Sequence, residues 1–314
     1  MLIAAILVRT GCEVGSRARN IDAVDNEHRA LRSAWWVRAI AALPLGFLHV
    51  VARGLAWLAT NVAPYRPKVV SENLAHAFPD LDARARRRLT RDYYRGYADV
   101  MVELLKSARI SAEELRARLQ FTNSELLHAE LAAGRPVVLF AAHQCNWEWI
   151  LLRLSVDGLP VDCAYKPLVN DWADREMRAL RTRFGARVVA VPAMMRDVLA
   201  RRRVPRVIAL VSDQEPVASE RRHWTRFLNR DSAFFMGGEV LVEKLGYPAY
   251  FVAIRRVGRG RYEARFELLA AAGSQFGAGE LTERYARRVE QQIREAPADW
   301  PWSHKRWRLR REVS

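Results

Sequence analysis

His143 and Glu148 stand five residues apart in the stretch R-P-V-V-L-F-A-A-H-Q-C-N-W-E-W, residues 135–149, and their types suit acid–base chemistry. An imidazole oriented by a carboxylate can take a proton from an attacking hydroxyl or amine near neutral pH. The spacing leaves two arrangements open. On one continuous helix, five residues rotate the chain by about 140°, and the two side chains point apart. If His143 lies in a loop ahead of the helix, the chain can fold back and bring the carboxylate to the imidazole. A histidine at such a place also has a purely structural reading, as a cap or a hydrogen-bonded core residue.

The flanking residues put His143 where a strand gives way to a helix. Val137 to Ala141 is a short apolar run rich in Val, Leu and Phe, which reads as a buried strand. Asn146 then suits the N-cap of a helix through Trp147, Glu148, Trp149 and Leu151. A strand that gives way to a helix at a histidine is the usual position for ligand chemistry in an open α/β sheet. Cys145, two residues from His143, raises a covalent route through a cysteine nucleophile as a minor alternative.

Further along, short apolar strands alternate with helical stretches. Residues 161–165, 187–191 and 206–211 read as strands; 171–184 and 193–203 read as helices. The strand at 206–211 delivers Ser212-Asp213-Gln214 at its end. Residues 235–245 read as a helix closed by Gly246. Residues 250–255 and 262–268 form a hairpin about Gly258-Arg259-Gly260, and 281–294 is a last helix. This alternation predicts an α/β sheet with substantial parallel content.

Net charge is +16 and the three cysteines form no C-x-x-C pair, so an anionic partner and a reducing compartment are expected. Residues 1–9 resemble a signal-peptide core without a basic start, and Cys12 lacks a lipoprotein context, so secretion is not expected. Residues 34–63 are apolar, with Trp35, Trp36, Phe47 and Trp57 beside arginines. Their longest uncharged run, 39–52, falls short of the roughly 20 residues that span a bilayer, and Pro44 and Gly46 interrupt it. A pair of helices in the membrane interface is the expectation, with a buried core helix as the alternative. The chain divides into a polar segment at 1–33, a hydrophobic membrane-interface anchor at 34–64 and a catalytic domain at 65–314.

Seven pieces of text in this order resemble the bacterial lipid A late acyltransferase family. They are Y-R-P-K-V-V-S-E-N-L-A-H-A-F-P-D from Tyr65, H-Q-C-N-W-E from His143, Tyr165-Lys166-Pro167, Arg181 within R-T-R-F-G, and Ser212-Asp213-Gln214. Phe227-Leu228 with Phe235-Met236-Gly237-Gly238, and the tail W-S-H-K-R-W from Trp302, complete the set. Lys166 replaces an arginine, and Leu228-Asn229 replaces a usual Phe-Gly. The resemblance covers roughly 35–310. It implies a glycerol-3-phosphate-acyltransferase-like mixed sheet flanked by helices, and acyl transfer from an acyl carrier protein, or coenzyme A, to a lipid A precursor hydroxyl. In that reading His143 is the base, Glu148 fixes its tautomer, and Arg181 stabilises developing charge. Asp213 orients an active-site Arg or Lys, or only caps the next segment. Lys166, Asn146, Trp147 and Gln214 meet substrate, and Trp147, Trp149, Phe234 and Phe235 line an acyl tunnel or belong to the core.

The same resemblance implies direct attack without metal or cofactor, on the cytoplasmic face of the inner membrane. Its partners are acyl carrier protein, an anionic glycolipid and membrane lipids. Another amphiphile as acceptor is the main alternative. A nucleic-acid binder would suit the charge alone, but the sequence has no zinc-finger spacing and no RNP-like aromatic run, and its basic residues are scattered. G-x-S-x-G and H-E-x-x-H are absent, which argues against a serine or zinc hydrolase.

Overall fold

The computed structural model describes residues 32–217 and 219–311, so the apolar stretch at 1–9 and Cys12 lie outside the described residues. Seven strands form the main sheet in the order β1 (Leu119–Phe121), β9 (Arg261–Ala270), β8 (Ala249–Gly258), β2 (Val137–Ala141), β5 (Val207–Val211), β3 (Val161–Tyr165) and β4 (Arg187–Ala190). The run from β8 through β4 is parallel, β9 pairs antiparallel with β8, and β1 runs parallel to β9. The sheet is therefore mixed, with a parallel centre.

β2 lies at that centre, and all five of its residues are buried. A strand with parallel neighbours on both edges and helices on both faces reads as a continuous apolar run. Successive side chains still alternate. Val138 and Phe140 join one core with Leu210, Phe234, Tyr285 and Trp300; Val137, Leu139 and Ala141 join the other with Trp149, Ile150 and Val252. Each fully buried Val, Leu or Phe contributes about 1.5–3 kcal/mol. The strand ends are thus fixed from both sides, which a loop on its own would not achieve.

At the N-terminus, α1 (Trp35–Ala42) and α2 (Leu45–Asn61) meet at 104° across Leu43-Pro44. No single helix among the described residues is long and apolar enough to cross a membrane, although this bent pair passes together by length and composition. α2 buries Leu45, Leu48, His49, Ala52 and Ala56, one stripe at helical spacing, against α4 (Ala83–Lys106). Its other face leaves Phe47, Val50, Val51 and Trp57 exposed. One face of this segment is therefore core, as the alternative expected, and the other is uncovered. Lys106 donates to the carbonyls of Ala41 and Leu43, satisfying the end of α1.

The structure adds elements that periodicity did not reveal: β1, α5 (Ala112–Arg118), α6 (Glu125–Ala132) and a separate hairpin of β6 (Arg222–Phe227) and β7 (Arg230–Phe235). Its turn residues, Leu228 and Asn229, both take positive φ, at 50° and 64°. Two such residues make the tight turn whose twist matches a hairpin, and Asn tolerates that region where Gly is absent. Helix boundaries otherwise differ by a few residues; the helix expected at 193–203 is α9 (Val191–Ala200), with Pro192 in its first turn.

Candidate active site

His143 follows β2 and Asp213 follows β5. These strands are adjacent and in register, with Ala141 opposite Val211. Two further residues on each bring His143 opposite Asp213, although 70 residues separate them in sequence. His143 Nδ1 lies 2.6 Å from Asp213 Oδ1, and the His143 backbone N–H donates to Oδ2 at 3.1 Å. The Trp300 indole N–H also donates to Oδ2, at 2.9 Å. Asp213 is completely buried; burial alone would raise its carboxyl pKa, but His143 and the Trp300 hydrogen bond outweigh it and hold the pKa below the usual value. An ionised Asp213 accepts only, so Nδ1 carries the proton and Nε2 keeps a lone pair. The Gln214 amide sits 3.2 Å from that Nε2.

Two further residues brace the pair. Tyr285, on α11 (Glu280–Glu295), donates its hydroxyl to the Ala141 carbonyl at 2.7 Å and accepts from the Ser212 backbone N–H at 3.2 Å. It thereby ties together the ends of β2 and β5. Arg306 is fully buried and donates to the Asp213 carbonyl at 2.7 Å; burial lowers its pKa to about 10. Burial also lowers the pKa of His304, to about 3, with His143 adding to the effect.

Glu148 does not reach His143. It lies in the first turn of α7 (Trp147–Val156), which Asn146 caps by accepting from the Trp149 N–H. There Glu148 accepts from Arg181 Nε at 2.9 Å and Nη2 at 2.5 Å, and from the Trp147 indole N–H at 3.1 Å. Burial would raise its carboxyl pKa, but the Arg181 charge and hydrogen bonds, with His143 beyond, lower it overall. The expectation that Glu148 fixes the His143 tautomer is therefore corrected. Residues in a helix's first turn follow the helix screw, and here the screw carries Glu148 toward α8 (Asp171–Thr182), which bears Arg181. The Arg181 guanidinium stacks 5.1 Å above the Tyr165 ring, whose hydroxyl donates to Asp174 at 2.5 Å.

Asp213 likewise departs from expectation: its carboxylate orients an imidazole and not an Arg or Lys. Asn146 is wholly buried, donating to Glu103 at 2.9 Å, so it braces the loop and does not face substrate. Trp147 lies edge-on to His143, with ring centroids 4.9 Å apart. Trp149 and Phe234 are fully buried core residues, so of the four aromatics only Trp147 lines the cleft at His143. Lys166 and Gln214 are exposed at the sheet's carboxyl edge. Burial raises the Cys145 thiol pKa well above its ordinary value, which removes the thiolate that an acyl-cysteine would need. Among the described residues no His, Cys, Asp or Glu cluster is suited to hold a metal ion.

No motif in the sequence assigns Trp300, Tyr285 or Arg306 to the site. The tryptophan-rich tail from Trp300 was their one visible signal, since indoles are bulky, costly to bury and need a partner for the N–H.

A histidine paired with a buried carboxylate at the carboxyl edge of a parallel sheet, with an Arg–Glu pair beside it, is an arrangement that can move a proton in an α/β enzyme. The family model for bacterial lipid A biosynthesis acyltransferases matches residues 28–309, nearly the whole chain, and the chain belongs to this family. It is an acyltransferase of lipid A biosynthesis. A comparison with curated proteins returned no match.

Proposed function

We propose that this enzyme moves a fatty acyl group from the thioester of an acyl carrier protein to a hydroxyl of a lipid A precursor, with His143 as general base. The observation that carries the reading is the 2.6 Å contact of Asp213 with His143 Nδ1, which leaves Nε2 basic. The acceptor hydroxyl displaces the Gln214 amide from Nε2 and gives up its proton there as its oxygen attacks the thioester carbon. Asp213 stabilises the imidazolium that forms. The carbon–sulfur bond then breaks, and the thiolate leaves with the proton returned from Nε2. The Gln214 amide, freed from His143, is placed to donate to the carbonyl oxygen as charge develops. Arg181 has two nitrogens committed to Glu148, and the pair holds Trp147 against the histidine ring.

The uncovered apolar face of α1 and α2 supports a seat in the interface of the inner membrane, on its cytoplasmic side, where an anionic glycolipid acceptor is at hand. The test is mass spectrometry of total lipid A from cells with the wild-type protein, without it, and with His143→Ala. Loss of one acyl chain in both altered strains is expected. Unchanged lipid A with another lipid short of a chain would replace the acceptor, and no lipid change at all would overturn the proposal.

A further inference from the structure

Only residues 142–146 join β2 to α7, and this turn carries His143. Within it Cys145 takes φ 51°, a left-handed conformation that a residue with a Cβ keeps only where its surroundings hold it there. Beyond Asp213, hydrogen bonds to the rest of the fold do so. The Gln144 amide donates to the Ala296 carbonyl at 2.9 Å, and the Cys145 backbone N–H donates to the Asp299 carbonyl at 2.9 Å. The Asn146 amide donates to Glu103 Oε2, also at 2.9 Å. The first two end on backbone; the third ends on a side chain of α4.

Glu103 is completely buried, which is costly for a carboxyl group unless donors surround it. Tyr262, on β9, donates its hydroxyl to Oε2 at 2.7 Å, and His49 Nε2 lies 3.0 Å from Oε1. Burial and the neighbouring Glu103 raise the Tyr262 phenol pKa well above its ordinary value, so that hydroxyl keeps its proton. His49 belongs to the buried stripe of α2, the helix whose other face is uncovered. One carboxyl group thus joins α2, α4, β9 and the catalytic turn. A separate bond ties α7 to the end of α4: the Trp149 indole donates to Ser107 Oγ at 2.9 Å. That bond grips the helix and not the turn.

We propose that Glu103 is a positioning residue, which by holding Asn146 keeps the turn in the shape that presents His143 Nδ1 to Asp213; the inference takes its reaction from the acyl-transfer reading above. Glu103 is buried away from substrate and acts only through Asn146. A reacting group misplaced by about 1 Å through a change elsewhere can cost about 10²-fold in rate, so a contact that touches no reacting atom can still govern kcat.

Two readouts on the full-length enzyme test this. One is steady-state acyl transfer to a lipid A precursor; the other is NMR of protein carrying isotope-labelled histidine, which follows the proton between His143 Nδ1 and Asp213. Glu103→Met should lower kcat about 10²-fold with KM little changed, and should lose the Nδ1 resonance as Asp213→Asn does. Glu103→Gln should keep both, because its oxygen can accept from Asn146 and Tyr262 while its NH2 donates to His49 in the other tautomer. Asn146→Ser retains a helix cap but is too short to reach Glu103, so it should reproduce the loss even where Glu103→Met fails to fold. Ser107→Ala should melt lower with kcat and resonance unchanged, the pattern of a contact that only stabilises. Wild-type kcat and resonance in Asn146→Ser overturn the inference, as does an equal loss of both in Ser107→Ala. The expected resonance pattern in a wild type that transfers no acyl chain supports the positioning and counts instead against the acyl-transfer reading.

Discussion

Replacing Asp213 by asparagine tests the assignment of the catalytic pair, because the surroundings dictate how the amide must sit. Two N–H groups, from the His143 backbone and the Trp300 indole, point at the Oδ2 position. Only the amide oxygen can accept there, so the NH2 group faces Nδ1 at the former 2.6 Å contact. An NH2 donor at Nδ1 forces the proton to Nε2, and the lone pair that serves as base is lost. In serine proteases, the same change to the wrong tautomer lowers kcat about 10⁴-fold. A loss of 10³–10⁴-fold in kcat is about 4–5.5 kcal/mol of transition-state stabilisation. KM should change little, since Asp213 is buried away from substrate. Steady-state transfer to a lipid A precursor, with circular dichroism to confirm folding, measures the effect. A folded Asp213→Asn enzyme within tenfold of wild-type kcat would refute the pairing.

Three further outcomes follow from the geometry. Glu148→Gln leaves the Arg181 charge unbalanced in a buried site and should cost about 3–5 kcal/mol in urea unfolding; Glu148→Gln combined with Arg181→Met should recover most of that, and additive losses would contradict the coupling. His304 has its pKa lowered to about 3 from 6.5, so it stays neutral when folded and takes up a proton on unfolding. The native-state advantage is complete above pH 6.5 and is lost as pH falls toward 3, about 2 kcal/mol by pH 5, a slope that unfolding of His304→Gln at pH 7 and pH 5 should lack. Phe47→Ser with Trp57→Ser removes exposed apolar surface from α2, so binding to anionic vesicles should drop about tenfold or more without a lower melting temperature. Unchanged vesicle binding would remove this face from the membrane.

The amino-acid sequence by itself determined the local elements. The all-apolar run at Val137–Ala141, the Asn146 cap and the left-handed Gly246 each announce their structure, because strand burial, capping and positive φ are properties of a few neighbouring residues. It also brought His143 to a strand end. The β6–β7 hairpin escaped notice because its turn is Leu-Asn, without the glycine that usually marks one, and arginines interrupt the alternation of its strands. What only the tertiary structure decided is which carboxylate serves His143. Glu148 is five residues away but is carried by the helix screw to Arg181; Asp213 is 70 residues away but sits on the neighbouring parallel strand. Strand adjacency depends on how separate elements pack, and no periodicity in a single segment encodes it.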